Sequence, residues 1–353
     1  MTLGPVALAC SVPVFRYALE RWQPDDYPVT IVHRAELTAE QNKWAADLKE
    51  RGFFLRTVTA EKTTGAPLKP AAETVRKDGV PRIVLSLPPS SGMDAAAWSA
   101  PLDAKNVDVL SASPARRAIF DKLTAGYAAI WLFLPGGDAV KDDAARTVLQ
   151  STLKKMESEL KLPEEMLETL DAKTAEEAKE KLRVRLAITE VKRNDPNEAV
   201  LLAILRTVAP EELAKPLPMV VPIFGRGRAL HLVVGTDINA DTVSEMCYFL
   251  IGSCSCEVKA QNPGFDLFIP GDWEARLTEG YVDAVNMAQI TGPSVAVSTN
   301  KPAATPQPSP MKTEPAKAPA RSSLTRNLVV VLVALLAVIV VGGILLRRRR
   351  TGP

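Results

Sequence analysis

Four cysteines stand in this 353-residue chain, and two of them, Cys254 and Cys256, lie one residue apart in "GSCSCEVK". Thiols so placed have three chemical uses. As structural bonds, the four make two disulfides, one of the close pair reaching Cys10 and the other Cys247; four cysteines permit three pairings, and spacing does not choose among them. A bond between Cys254 and Cys256 closes a very small, strained ring and reads as an oxidising, functional disulfide. As ligands, Cys247, Cys254 and Cys256 offer thiolates to a soft ion such as Cu(I) or Zn, although the spacing is not a standard zinc pattern. His33 and His231 are the only histidines. Both fall in segments that read as strands, where a packed residue is expected rather than a ligand. No catalytic set emerges, and no cofactor is implied.

Two further stretches resemble anion-binding motifs and fail on context. "FGRGRAL" holds Gly225-x-Gly227, half of a dinucleotide fingerprint, between two strand signals with no helix after it. It reads as a hairpin turn with Arg226 and Arg228 exposed. "LPGGDAVKDD" follows a strand and opens a helix, where backbone amides can hold an anion. It lacks the lysine and hydroxyl of a P-loop, and Asp138, Asp142 and Asp143 repel phosphate, so an acidic helix start is expected.

These segments must be positioned by a fold built largely from aliphatic residues, since apolar residues make up 46% of the chain and aromatics 5%. With 43 basic and 41 acidic residues the formal charge is +2. No basic stripe crosses the globular part, which argues against nucleic acid as a partner. Leu328 to Leu346 carries no charge and stops at Arg347, Arg348, Arg349 and Arg350. Nineteen residues at helical rise span roughly 28 Å, about a bilayer core. Residues 327–346 are therefore expected to be a single-pass membrane helix, with 347–353 a cytoplasmic tail by the positive-inside rule, diluted by Lys317, Arg321 and Arg326. Residues 291–326, rich in Pro, Ala, Ser and Lys, read as a disordered stalk. Everything before the anchor then lies outside the cell membrane, in the periplasm of a bacterium. Residues 1–9, ending Ala7-Leu8-Ala9 before Cys10, read as the remnant of a signal peptide that begins upstream; lipidation of Cys10 is the alternative.

The region 10–290 alternates strand and helix signals, so the fold class is α/β. In the first part "PVTIVHR", "GFFLRTVTA" and "PRIVLSLPP" read as strands, "AEQNKWAADLKERG" as a helix and "SPARRAIFDKLTAGY" as another, capped by Ser113, with a turn-rich stretch before it. From Ala128 the order is clearer: "AAIWLFLPGGD", a helix from about Asp142 to Leu162, "KLRVRLAITEV", "DPNEAVLLAILRTV", the paired strands of "PMVVPIFGRGRALHLVVG", and the helix "NADTVSEMCYFLIG". "LPEEMLETLDAKTAEEAKEKL" reads as a solvated amphipathic helix. "QNPGFDLFIPGDWEARL" reads as a loop whose Phe265, Leu267, Phe268 and Trp273 pack back on the core.

The β-α-β-α-β-β-α order over about 127–256 resembles the thioredoxin-like fold. Pro218 stands directly before the third strand, where that fold carries a cis-proline. The resemblance also implies a Cys-x-x-Cys within "LPGGDAVKD", and no cysteine is there. It therefore transfers a shape and no redox centre. Residues 10–126 are similar to a degenerate second copy, with Pro81 in the matching place. The opening "CSVPVFRYALERW" is similar to uncharacterised exported, membrane-anchored bacterial proteins. Together these readings lead to a non-catalytic binding or accessory module with units at 10–126 and 127–290, held at the membrane beside a membrane-protein partner. The rival readings are a thiol-disulfide protein working through Cys254 and Cys256, and a soft-metal binder.

Overall fold

The computed structural model describes residues 12–161, 184–252 and 258–280. Packing divides the chain into Met1–Val295 and Ala296–Pro353, and every described residue falls in the first unit. The expected signal remnant, the amphipathic run at 162–182, the stalk, the anchor Leu328–Leu346 and the basic tail lie outside the described residues. Among those described, no helix is long and apolar enough to cross a membrane.

The class is mixed α/β, with two mixed sheets. A first helix, α1 (Val14–Arg21), precedes β1 (Val29–His33), α2 (Ala39–Glu50), β2 (Leu55–Thr59), α3 (Lys69–Asp78), β3 (Arg82–Ser86), β4 (Ala96–Pro101) and α4 (Ala104–Ser111). The first sheet has the order β2-β1-β3-β4; β1 is parallel to β2 and antiparallel to β3, and β3 is antiparallel to β4. Then come α5 (Pro114–Thr124), β5 (Ala129–Leu134), α6 (Ala139–Glu159), β6 (Leu186–Glu190), α7 (Ala199–Val208) and α8 (Pro210–Ala214). The chain continues through β7 (Met219–Phe224), β8 (Arg228–Ala229), β9 (Val233–Val234), α9 (Ala240–Ile251), β10 (Phe265–Asp266) and α10 (Trp273–Gly280). The second sheet runs β10-β8-β7-β5-β6, with β5 parallel to β6 and antiparallel to β7, and with β9 also on β7. The central strands repeat one connectivity: the first pairs in parallel with the second and antiparallel with the third.

Local chemistry accounts for the boundaries. Thr38 and Gln41 form a reciprocal capping box at the start of α2. Ser113, Asp138 and Asn239 cap α5, α6 and α9 through side-chain oxygens. The strand expected after β7 is broken into β8 and β9. Leu230 N–H donates to Pro222 O at 2.9 Å, and Pro222 has no N–H to return the bond, so the ladder fails there.

The core is continuous across both sheets. α7 reads "AVLLAILRTV" and is apolar nearly all round; Val200, Leu201, Leu202, Ile204 and Leu205 are each at most 1% exposed. A helix apolar on every face must be covered on every face. It packs against β4 of the first sheet, and its leucines share one cluster with Ile31, Ile83 and Leu85 there and with Ile130, Leu132 and Val221 of the second sheet. Burial of each such side chain is worth roughly 1.5–3 kcal/mol.

Segments far apart in sequence reinforce this union. α1 packs on α9 and β7, in the second cluster, through Val14, Phe15, Ala18 and Trp22. Much later in the chain Phe268 packs against Tyr27 and Phe53, with ring centroids at 5.4 and 5.6 Å. Leu267 and Trp273 are buried, so this loop does pack back on the core. The helix α5 packs against β5, β6 and α10, so it serves the second sheet although it precedes residue 127. The helix α4, which lies in the stretch read as turns, packs against α2 and α7.

Candidate binding groove

The turn after β5 is where the resemblance implies a redox motif, and both of its glycine amides have partners. Gly136 N–H and Gly137 N–H donate to the two oxygens of the buried Asp142 carboxylate at 2.7 and 2.9 Å. Asp138 accepts from the N–H groups of Val140 and Lys141 and pairs with Lys141 at 3.1 Å. The protein thus supplies its own anions at this helix start, as the acidic run predicts.

A cation fastens the same turn to its neighbour. Arg193 donates to Pro135 O at 2.9 Å, to Leu213 O at 2.6 Å and to Leu217 O. Gly136 lies so close to Leu217 that a Cβ built on it falls 2.5 Å from the Leu217 carbonyl carbon. Residue 136 therefore has to be glycine for Leu217 and Pro218 to sit where they do. No peptide bond among the described residues is cis. The cis-proline implied at Pro218 and Pro81 is thus absent; Pro218 is buried in trans, with its carbonyl accepting Gly235 N–H at 2.8 Å.

Above Leu217 and Pro218 opens a cavity of about 580 Å³, lined on one side by Lys141, Ala144, Ala145 and Val148 and on the other by Val234 to Ile238. Its helical wall is one face of α6, at positions i, i+3, i+4 and i+7. Small residues at 144 and 145 leave the space open, and Val140, 80% exposed, continues the same stripe outward. Lys141, Lys215 and Asp237 mark the rim. No cysteine or histidine lines it. The arrangement suits binding of an apolar group and offers no activated nucleophile.

The residues singled out in the sequence are not brought together here. Cys247 is a free thiol, 1% exposed in the second apolar cluster, and burial pushes it up to about 12. Cys10, Cys254 and Cys256 lie outside the described residues, as do Arg347 to Arg350. His33 ends β1 and its Nδ1 contacts Ala35 O at 2.8 Å; His231 is exposed between β8 and β9 rather than packed in a strand. Among the described residues no group of His, Cys, Asp and Glu could hold a metal ion.

Arg226 and Arg228, expected to be exposed at a hairpin, are 5% and 6% exposed. Arg226 donates to Leu19 O at 2.7 Å and pairs with Glu274 at 2.6 Å. Arg228 pairs with Asp266 at 3.0 Å and donates to the carbonyls of Pro263, Asn262 and Gly264. Guanidinium forks are buried here because their donors meet carboxylates and main-chain carbonyls from Leu19 in the last turn of α1 and from the 262–264 loop. Lys259 completes the seam by bridging Asp25 at 2.7 Å and Asp266 at 2.5 Å.

No family model matches the chain. A search of curated proteins likewise finds no match.

Proposed function

We propose that this chain is a non-catalytic binding or accessory module built from two thioredoxin-like halves and held at the outer face of a membrane by Leu328–Leu346. The repeated strand connectivity supports the two halves, and the uncharged run before Arg347 supports the anchor. One observation carries the functional reading: the turn after β5 has no cysteine, and its amides are filled by Asp142. What remains beside it is an apolar groove. Its occupant is an apolar segment of a partner, which a membrane-protein complex would supply.

The test is a photo-crosslinking residue placed at Val148 in the full chain in its membrane, with Phe54 as a surface control. A discrete adduct at 148, absent at 54 and lost on Ala144→Arg, is expected. Equal labelling at both positions, or a turnover reaction abolished by changing one polar residue, overturns the reading.

A second reading concerns the thiols and is favoured by one contact. Val14 N–H donates to Gly252 O at 3.0 Å, so α1 begins beside the end of α9. Cys10 precedes Val14 by four residues, and Cys254 and Cys256 follow Gly252 by two and four. With Cys247 buried, we propose that Cys10 bonds to one of the pair and staples the N-terminal segment to α9. Alkylation under native conditions followed by mass mapping is expected to find that bond, with Cys247 unlabelled until unfolding. A Cys254–Cys256 bond that turns over with a dithiol supports the redox rival instead, and a retained soft ion supports the metal rival.

A further inference from the structure

We draw no further inference here: the strongest candidate, the apolar cavity between α6, Leu217–Pro218 and Val234–Ile238, belongs to the site already described, and because its rim carries both Lys215 and Asp237 nothing in the structure shows what more specific chemistry covers it.

Discussion

Replacing Arg193 by Met keeps most of the side-chain stem and deletes the guanidinium that binds three carbonyls. A hydrogen bond nets about 1 kcal/mol, and an orphaned buried acceptor costs about 1–3 kcal/mol. Arg193 is half-buried, so water recovers part of that loss. The expected destabilisation is about 3 kcal/mol, or roughly 6–12 °C in Tm for a unit of this size. Arg146→Met is the internal control. Arg146 pairs with Glu190 and Asp143, which are 40% and 74% exposed, and lies over the Phe133 ring at 5.0 Å. Exposed pairs are worth about 0–1 kcal/mol, and such a ring contact about 0.5–1 kcal/mol. Thermal unfolding of the full chain, with hydrogen exchange across 135–137 and 213–219, separates the two variants. Arg193→Met should lower Tm more than Arg146→Met and, unlike it, speed exchange in both segments. Equal losses for the two variants, or an Arg193→Met cost below about 1 kcal/mol, would refute the reasoning that this cation holds the groove floor.

Gly136→Ala should destabilise by about 1–3 kcal/mol through the clash with Leu217 backbone and should also abolish crosslinking at Val148, read by denaturation and by adduct yield. Glu198→Gln tests a buried carboxylate that accepts Ser113 O–H at 2.5 Å and Ala115 N–H at 2.7 Å. Burial raises its pKa above the ordinary 4.5, so the fold favours the protonated form, and its contribution is present below the unfolded value and lost as pH rises through the folded one. Urea unfolding of both proteins from acid to neutral pH should show the wild type losing ground to the variant as pH climbs from about 4.5. A difference that is flat with pH would contradict this.

The elements that could be read in advance are those whose burial is one-sided or complete. β5 appears as an unbroken apolar run because both of its faces are covered. The cap at Ser113 is legible because the bond it makes is local. β4, "AAWSAP", escaped because its small and polar residues give no alternation; it is a strand because β3 and α7 hold it there. α4 escaped too, although Asp103 announces it by accepting Asn106 N–H at 2.8 Å. Two buried arginines at 226 and 228 could not be foreseen, since their partners, main-chain carbonyls together with the carboxylates of Glu274 and Asp266, are distant in sequence. Nor could the groove, which arises from alanines on one helix meeting a proline-flanked turn that only tertiary packing brings near.

The contact between α1 and the second sheet also dictates a schedule. Leu19 and Arg226 are 207 positions apart, so a ribosome adding roughly 5–20 residues per second leaves roughly 10–40 s between the two. Throughout that interval Val14, Phe15 and Trp22 have an apolar face and no native surface to lay it on. A helix made early is housed late, and a newborn chain must keep that face from other chains until its own later residues arrive.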